Sequence, residues 1–151
     1  MKEYTDFKEF YNDVLNLVED IKAKNLNQTE QISFARKYIL KDTLNNYTKI
    51  SILPNNIIDI LNSSSNILKF SVDNLIKNIL THPEVLFDDY VKIPKIIKNP
   101  SKYYKIKSGY DVILFKEDEK YYKLVIKTTK NRKENFVKSL HLLNKERYNK
   151  Y

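Results

Sequence analysis

Apolar positions in the first part of the chain recur at helical spacing. Phe7, Phe10, Tyr11, Val14, Leu17, Val18 and Ile21 follow Asp6 and Glu9, whose separation is that of a capping box, so a helix is expected to run to about Lys24. Asn27 and Glu30 repeat the signature ahead of Phe34, Ala35, Tyr38, Ile39 and Leu44, and this second helix fades in the polar stretch 45–48. The two helices are expected to form a hairpin over residues 1–48. Lys49 to Leu53 is a short β-branched run stopped by Pro54, and Ile57, Ile58, Ile60 and Leu61 then return to helical spacing. After a break at 62–66, Ile67 to Phe70 reads as a strand. Ser71 stands as N-cap to a helix carrying Leu75, Ile76, Ile79 and Leu80, which ends near Thr81, His82 and Pro83.

Pro83 and Pro94 each suit the first turn of a short helix, over 84–87 and 95–98. Beyond Pro100 the pattern changes to aromatic and β-branched runs: Tyr103 to Ile106, Tyr110 to Lys116, Tyr121 to Thr129 and Asn135 to Leu142. Residues 117–120 form a hairpin tip, and 144–151 a polar tail with a helical turn. The expected fold class is α+β: an N-terminal helical region (1–48), then a domain over 49–151 with a small four-stranded antiparallel sheet packed on helices.

Charge adds a direction to this outline. Residues 1–48 carry 7 basic and 8 acidic side chains and 49–100 carry 6 and 5, while 101–151 carry 14 and 6, so the whole excess of +8 falls in the last third. Seven of the 12 tyrosines lie there too. Cations interleaved with flat aromatic faces suit a polyphosphate that carries bases. A composition rich in Lys, Asn, Ile and Tyr is the competing explanation of the same charge.

Several chemistries are excluded. Without cysteine there is no thiolate nucleophile and no Cys-ligated zinc, and the single glycine, Gly109, cannot build a phosphate-cradling loop or a dinucleotide fingerprint. Two histidines cannot make a three-histidine zinc site, so neither a metal nor a cofactor is expected. No apolar block spans a membrane and no apolar leader follows Met1, so a cytoplasmic protein is expected, or one delivered into a target or host cell.

What remains is acid–base chemistry on a basic sheet. If the last two runs pair across 130–134, alternation sets Lys127 and Thr129 beside Ser139 and His141 on one surface. RNA carries its own nucleophile. Its cleavage needs only a base for the 2′-hydroxyl, an acid for the leaving oxygen and cations for the phosphorane. Lys123, Lys130, Lys133, Lys138 and Tyr121 would supply cations and a flat face to the RNA. The competing reading packs His141 as an ordinary strand residue and lets His82 merely end a helix.

The order Ser71, His82-Pro83-Glu84, Asp89-Tyr90, Ile93-Pro94, Ile96-Ile97 and Asn99-Pro100, then Tyr122, Lys127-Thr128-Thr129 and Ser139, resembles the phage-associated branch of the barnase, EndoU, colicin and RelE nuclease superfamily. The likeness covers 67–151. It implies a BECR-like fold, His82 as acid or base, Lys127 as a phosphate cation, Thr129 and Ser139 as hydroxyls that orient the phosphate, and Arg132 as a further transition-state cation. His141 stands where that pattern has an aromatic-then-basic ending. The expected function is a metal-independent endoribonuclease, a phage-related or competition toxin acting on tRNA or another structured RNA, with an acidic immunity or antitoxin protein as its partner. A non-catalytic RNA-binding or virion-associated module, and a protein-interaction domain, are the alternatives.

Overall fold

The computed structural model describes residues 1–106 and 111–151; Tyr110, where the second strand of the meander was expected to start, lies outside the described residues, as does Gly109. Strand β1 (Glu3–Tyr4) precedes α1 (Phe7–Lys22), whose N-cap Asp6 accepts from the Lys8 N–H. α2 (Gln28–Tyr38) opens with a complete capping box: Asn27 accepts from the Glu30 N–H at 2.9 Å and Glu30 accepts from the Asn27 N–H at 3.1 Å. The helix stops where Ile39 turns extended, so α2 buries Ala35 and leaves Tyr38 exposed, and Leu44 is buried from a separate turn, α3 (Lys41–Leu44). β2 (Tyr47–Ile52), α4 (Asn55–Leu61), β3 (Ile67–Ser71) and α5 (Val72–Thr81) follow, with Ser71 capping α5 by accepting from the Asn74 N–H.

The one-turn helix expected at 84–87 forms later, as α6 (Phe87–Tyr90), because Asp89 reaches back to accept the Leu86 N–H at 2.9 Å. α7 (Ile93–Lys98) carries Pro94 in its first turn. β4 (Lys102–Lys105), β5 (Asp111–Glu117), β6 (Tyr121–Thr128) and β7 (Asn135–Leu143) make the meander, and α8 (Lys145–Asn149) closes the chain.

The expected four-stranded antiparallel sheet is incorrect. The strands form one seven-stranded mixed sheet in the order β1-β2-β3-β7-β6-β5-β4. The meander accounts for four of the strands; β3 joins it by a parallel pairing to β7, Leu68 to Asn135 and Lys69 to Phe136, and brings β2 and β1 with it. Side chains reinforce that short seam. Asn135 donates to the carbonyls of Ser65 and Ile67 at 2.8 and 3.0 Å, and the Arg132 carbonyl accepts from Ser64. A four-stranded sheet would have left β7 as an open edge with unpaired N–H and C=O groups.

The boundary between 48 and 49 falls inside β2, and residues 1–48 share one core with the rest. Phe10, Val14, Val18 and Ile21 of α1 pack in the same buried cluster as Leu68 and Phe70 of β3, Ile96 and Ile97 of α7, and Tyr122 and Leu124 of β6. Burying one such side chain contributes about 1.5–3 kcal/mol. The helices α1, α5 and α7 therefore cover one face of the sheet. α8 covers one end of the opposite face, where Tyr148 packs on Phe115 and Leu143. Beyond α8, Lys127 of β6, Phe136 of β7, Lys69 of β3 and Tyr47 of β2 line a groove on that face. Among the described residues, no helix is long and apolar enough to cross a membrane.

Candidate functional site

The site is built where β3 leaves β7. After Phe136 no strand among the described residues lies beside the β7 edge, and α5 takes the place of one. The Asn74 side chain donates to the Val137 carbonyl at 2.9 Å; one turn on, Asn78 accepts from the Leu140 N–H at 2.9 Å and donates to the Leu140 carbonyl at 3.1 Å. Asn78 is buried, and its amide also donates to the Tyr90 hydroxyl at 2.7 Å. Two asparagines at i and i+4 thus satisfy backbone groups that would otherwise be buried without partners. Lys77 and Thr81, on the same stretch of helix, are carried to the β7 edge with them.

The helix ends at His82, whose N–H donates to the Asn78 carbonyl at 2.7 Å before Pro83 prevents continuation. This places the His82 ring on His141 of β7, with centroids 3.8 Å apart and planes inclined by 34°. Both histidines of the chain meet, from positions 59 apart in sequence (141 minus 82). His82 keeps a quarter of its side chain exposed, and its Nδ1 lies 3.5 Å from a Glu84 carboxylate oxygen. Burial pushes the His141 imidazole down from 6.5 to about 4, and the neighbouring charges of His82, Lys123 and Arg147 act in the same direction. His141 is therefore neutral near pH 7, a free base in contact with a second imidazole that faces a carboxylate. Two imidazoles in contact on the wall of a groove are groups of the kind that acid–base chemistry uses, one to accept a proton and the other to donate one. The pair lines a groove of about 250 Å³ together with Lys77, Thr81, Lys138 and Ser139.

A larger groove of about 580 Å³ adjoins it, with Lys77 and Lys138 lining both. Its walls include Lys127, Thr129, Phe136, Lys69 and Tyr47. The join depends on a β-bulge. In strict alternation Phe136 and His141 would face opposite sides of β7, but the register shifts so that Val125 pairs with Ser139 while Ile126 pairs with Val137. Lys138 is the additional residue, and the parity change puts Phe136, Ser139 and His141 on one outer face.

The sequence candidates divide accordingly. His82, Ser139 and His141 line the smaller groove, Lys127 and Thr129 the larger, and Lys138 both, while its ammonium pairs with Asp111 at 3.0 Å. Lys127 lies opposite Phe136, not Ser139, and Thr129 falls just past the end of β6. Lys123 is the cross-strand partner of His141 and also lies over the Tyr151 ring. Tyr121 packs against Tyr148 under α8. Lys130 and Lys133 are exposed in the turn that follows β6. Arg132 lines neither groove: it takes a left-handed backbone (φ 64°) and donates from its guanidinium to the Leu61 carbonyl at 2.9 Å, clasping the end of α4.

Sequence reasoning gave no role to Lys77, Glu84, Phe136 or the two asparagines. Asn74, Lys77, Asn78 and Thr81 form a polar stripe at three- and four-residue spacing on an otherwise apolar helix, a signal that was present in the chain. Among the described residues, no group of three or more His, Asp or Glu side chains is placed to hold a metal ion. No family model, curated protein or solved structure matches the chain.

Proposed function

We propose that the chain is a metal-independent endoribonuclease that cuts RNA by transesterification from the 2′-hydroxyl. The observation that carries the reading is the contact between His82 and His141, two imidazoles in different electrostatic settings on a lysine-lined groove. His141, neutral at pH 7, takes the 2′-hydroxyl proton. The 2′-oxygen attacks phosphorus, and the bond to the 5′-oxygen breaks as His82, in the role of general acid, gives that oxygen a proton. The products are a 2′,3′-cyclic phosphate and a free 5′-hydroxyl. On this reading Lys77 answers the charge that builds on the non-bridging oxygens, and Ser139 offers a hydroxyl to orient them. The rings touch, so the phosphate approaches their edges from the lysine side.

The proposal extends to the context suggested by the nuclease resemblance: a phage-related or competition toxin acting on tRNA or another structured RNA, held in check by an acidic protein that covers the basic face. The size of the lysine-lined groove beside the histidine pocket supports a second reading, RNA binding without cleavage. Purified chain incubated with total RNA in EDTA separates the two. The nuclease reading expects cyclic phosphate ends, with His82→Ala and His141→Ala each lowering the rate at least tenfold, as loss of a general acid or base does. Intact RNA, or a rate unmoved by both substitutions, would reject it.

A further inference from the structure

Phe136 is an anomaly on the outer face. A half-buried phenyl ring normally completes an apolar cluster, yet among the described residues Phe136 packs in neither cluster and has no ring partner. It stands in the wall of the larger groove between two cations in register, Lys69 of β3 on one side and Lys127 of β6 on the other. Lys69 is engaged, bonded to Glu134 at 3.0 Å and lying 4.5 Å from the Tyr47 ring. Lys127 and Lys77 have no ion pair among the described residues, so the groove holds two uncommitted cations beside an uncommitted aromatic face.

We propose that Phe136 is a stacking platform for a nucleobase, and that the larger groove takes an unpaired nucleotide flanking the one that is cut, with Lys127 and Lys77 on its phosphates. The inference rests on the reading that this face handles RNA, and it names the form of RNA. Any base has a π-face to lay on a phenyl ring, and such a platform between cations is how single strands are held. Because Lys138 is the bulge residue, four steps of the ladder separate Phe136 from His141, those from Lys127 to Lys123 on β6, or about 13 Å at 3.3 Å per residue, against about 3.4 Å between bases stacked in a duplex strand. A base on Phe136 therefore belongs to a nucleotide outside the scissile step. Bases stacked inside a helix cannot reach the ring, so the substrate segment is a loop or single strand.

The test uses the full chain and a fluorescein-labelled 2′-O-methyl oligoribonucleotide, single-stranded or annealed to its complement, with binding read by anisotropy. The probe lacks the 2′-hydroxyl nucleophile, so binding is measured whether or not the chain cuts. Phe136→Ala and Phe136→Leu are expected to weaken single-strand binding about 5- to 150-fold, the worth of one base stack. Phe136→Tyr should retain it, the duplex should bind at least tenfold more weakly, and the thermal midpoint of Phe136→Ala should stay close to that of the parent. Equal affinity of the Ala and Tyr variants, equal affinity for duplex and single strand, or no single-strand binding would overturn the platform. RNA cleavage alongside a neutral Phe136→Ala would sink the platform and leave the nuclease standing. A chain that cuts nothing yet loses binding in that variant would do the opposite.

Discussion

Replacing Asn78 by leucine tests the joint that assembles both grooves. The two side chains share the same branched outline of heavy atoms, so the substitution removes the hydrogen bonds without opening a cavity. Three groups lose a partner: the Leu140 N–H, the Leu140 carbonyl and the Tyr90 hydroxyl, in a place where Asn78 is buried and Tyr90 fully so. A buried polar group left unpaired costs about 1–3 kcal/mol, so three cost about 3–9 kcal/mol; the added apolar surface offsets about 1 kcal/mol, leaving a net loss of about 2–8 kcal/mol. Against a total of about 5–15 kcal/mol that is a large fraction. With a slope near 2 kcal/mol per molar, the urea midpoint should fall by about 1–4 M at unchanged slope. The internal control is Asn74→Leu, which gives up one half-exposed bond to the Val137 carbonyl and should cost about 1 kcal/mol. Urea unfolding followed by far-ultraviolet circular dichroism measures both. If Asn78→Leu costs no more than Asn74→Leu, the claim that Asn78 substitutes for a missing strand is refuted.

Other consequences are as specific. His141 is held neutral in the folded chain from 6.5 down to about 4, so the unfolded chain binds more protons across that window and stability falls as the pH drops through it. At about 1.4 kcal/mol per pH unit the effect has a ceiling near 3 kcal/mol, and solvent screening of a half-buried ring reduces it to about 1–2 kcal/mol. His141→Gln should remove that part of the difference between pH 7 and pH 4.5, and an unaltered difference in urea stability would refute the assignment. Arg132→Ala should cost about 1.5–3 kcal/mol through loss of the charged hydrogen bond to the Leu61 carbonyl, part of it returned by relief of the guanidinium's ordering. A thermal midpoint unchanged in that variant would show that the clasp on α4 contributes nothing.

Local signals in the chain were sufficient for most elements. Asn27 with Glu30, Ser71 and Pro94 mark helix starts because a side-chain oxygen or a fixed φ acts within a few residues, and the structure begins helices beside each of them. The strands β3 to β7 fall close to the aromatic and β-branched runs for the same reason. α6 was displaced because its cap, Asp89, acts backwards from the third residue onto Leu86, a geometry that a proline at 83 does not announce.

At the level of the whole molecule, the residue pattern alone determined most of the helices and strands, though not β1, the separate turn α3 or the place of α6, and it put the excess positive charge and most of the tyrosines in the last third. Only the tertiary structure decided that β3 pairs with β7 to make seven strands out of an expected four, and that two distant imidazoles touch. It also decided, through the bulge at Lys138, that Phe136 shares a face with His141. The physical reason is range. Capping, helical spacing and strand alternation act over a few residues and are written into them. Sheet order and register are settled by which distant groups satisfy a buried edge, and a one-residue shift there reverses the side to which every later side chain points.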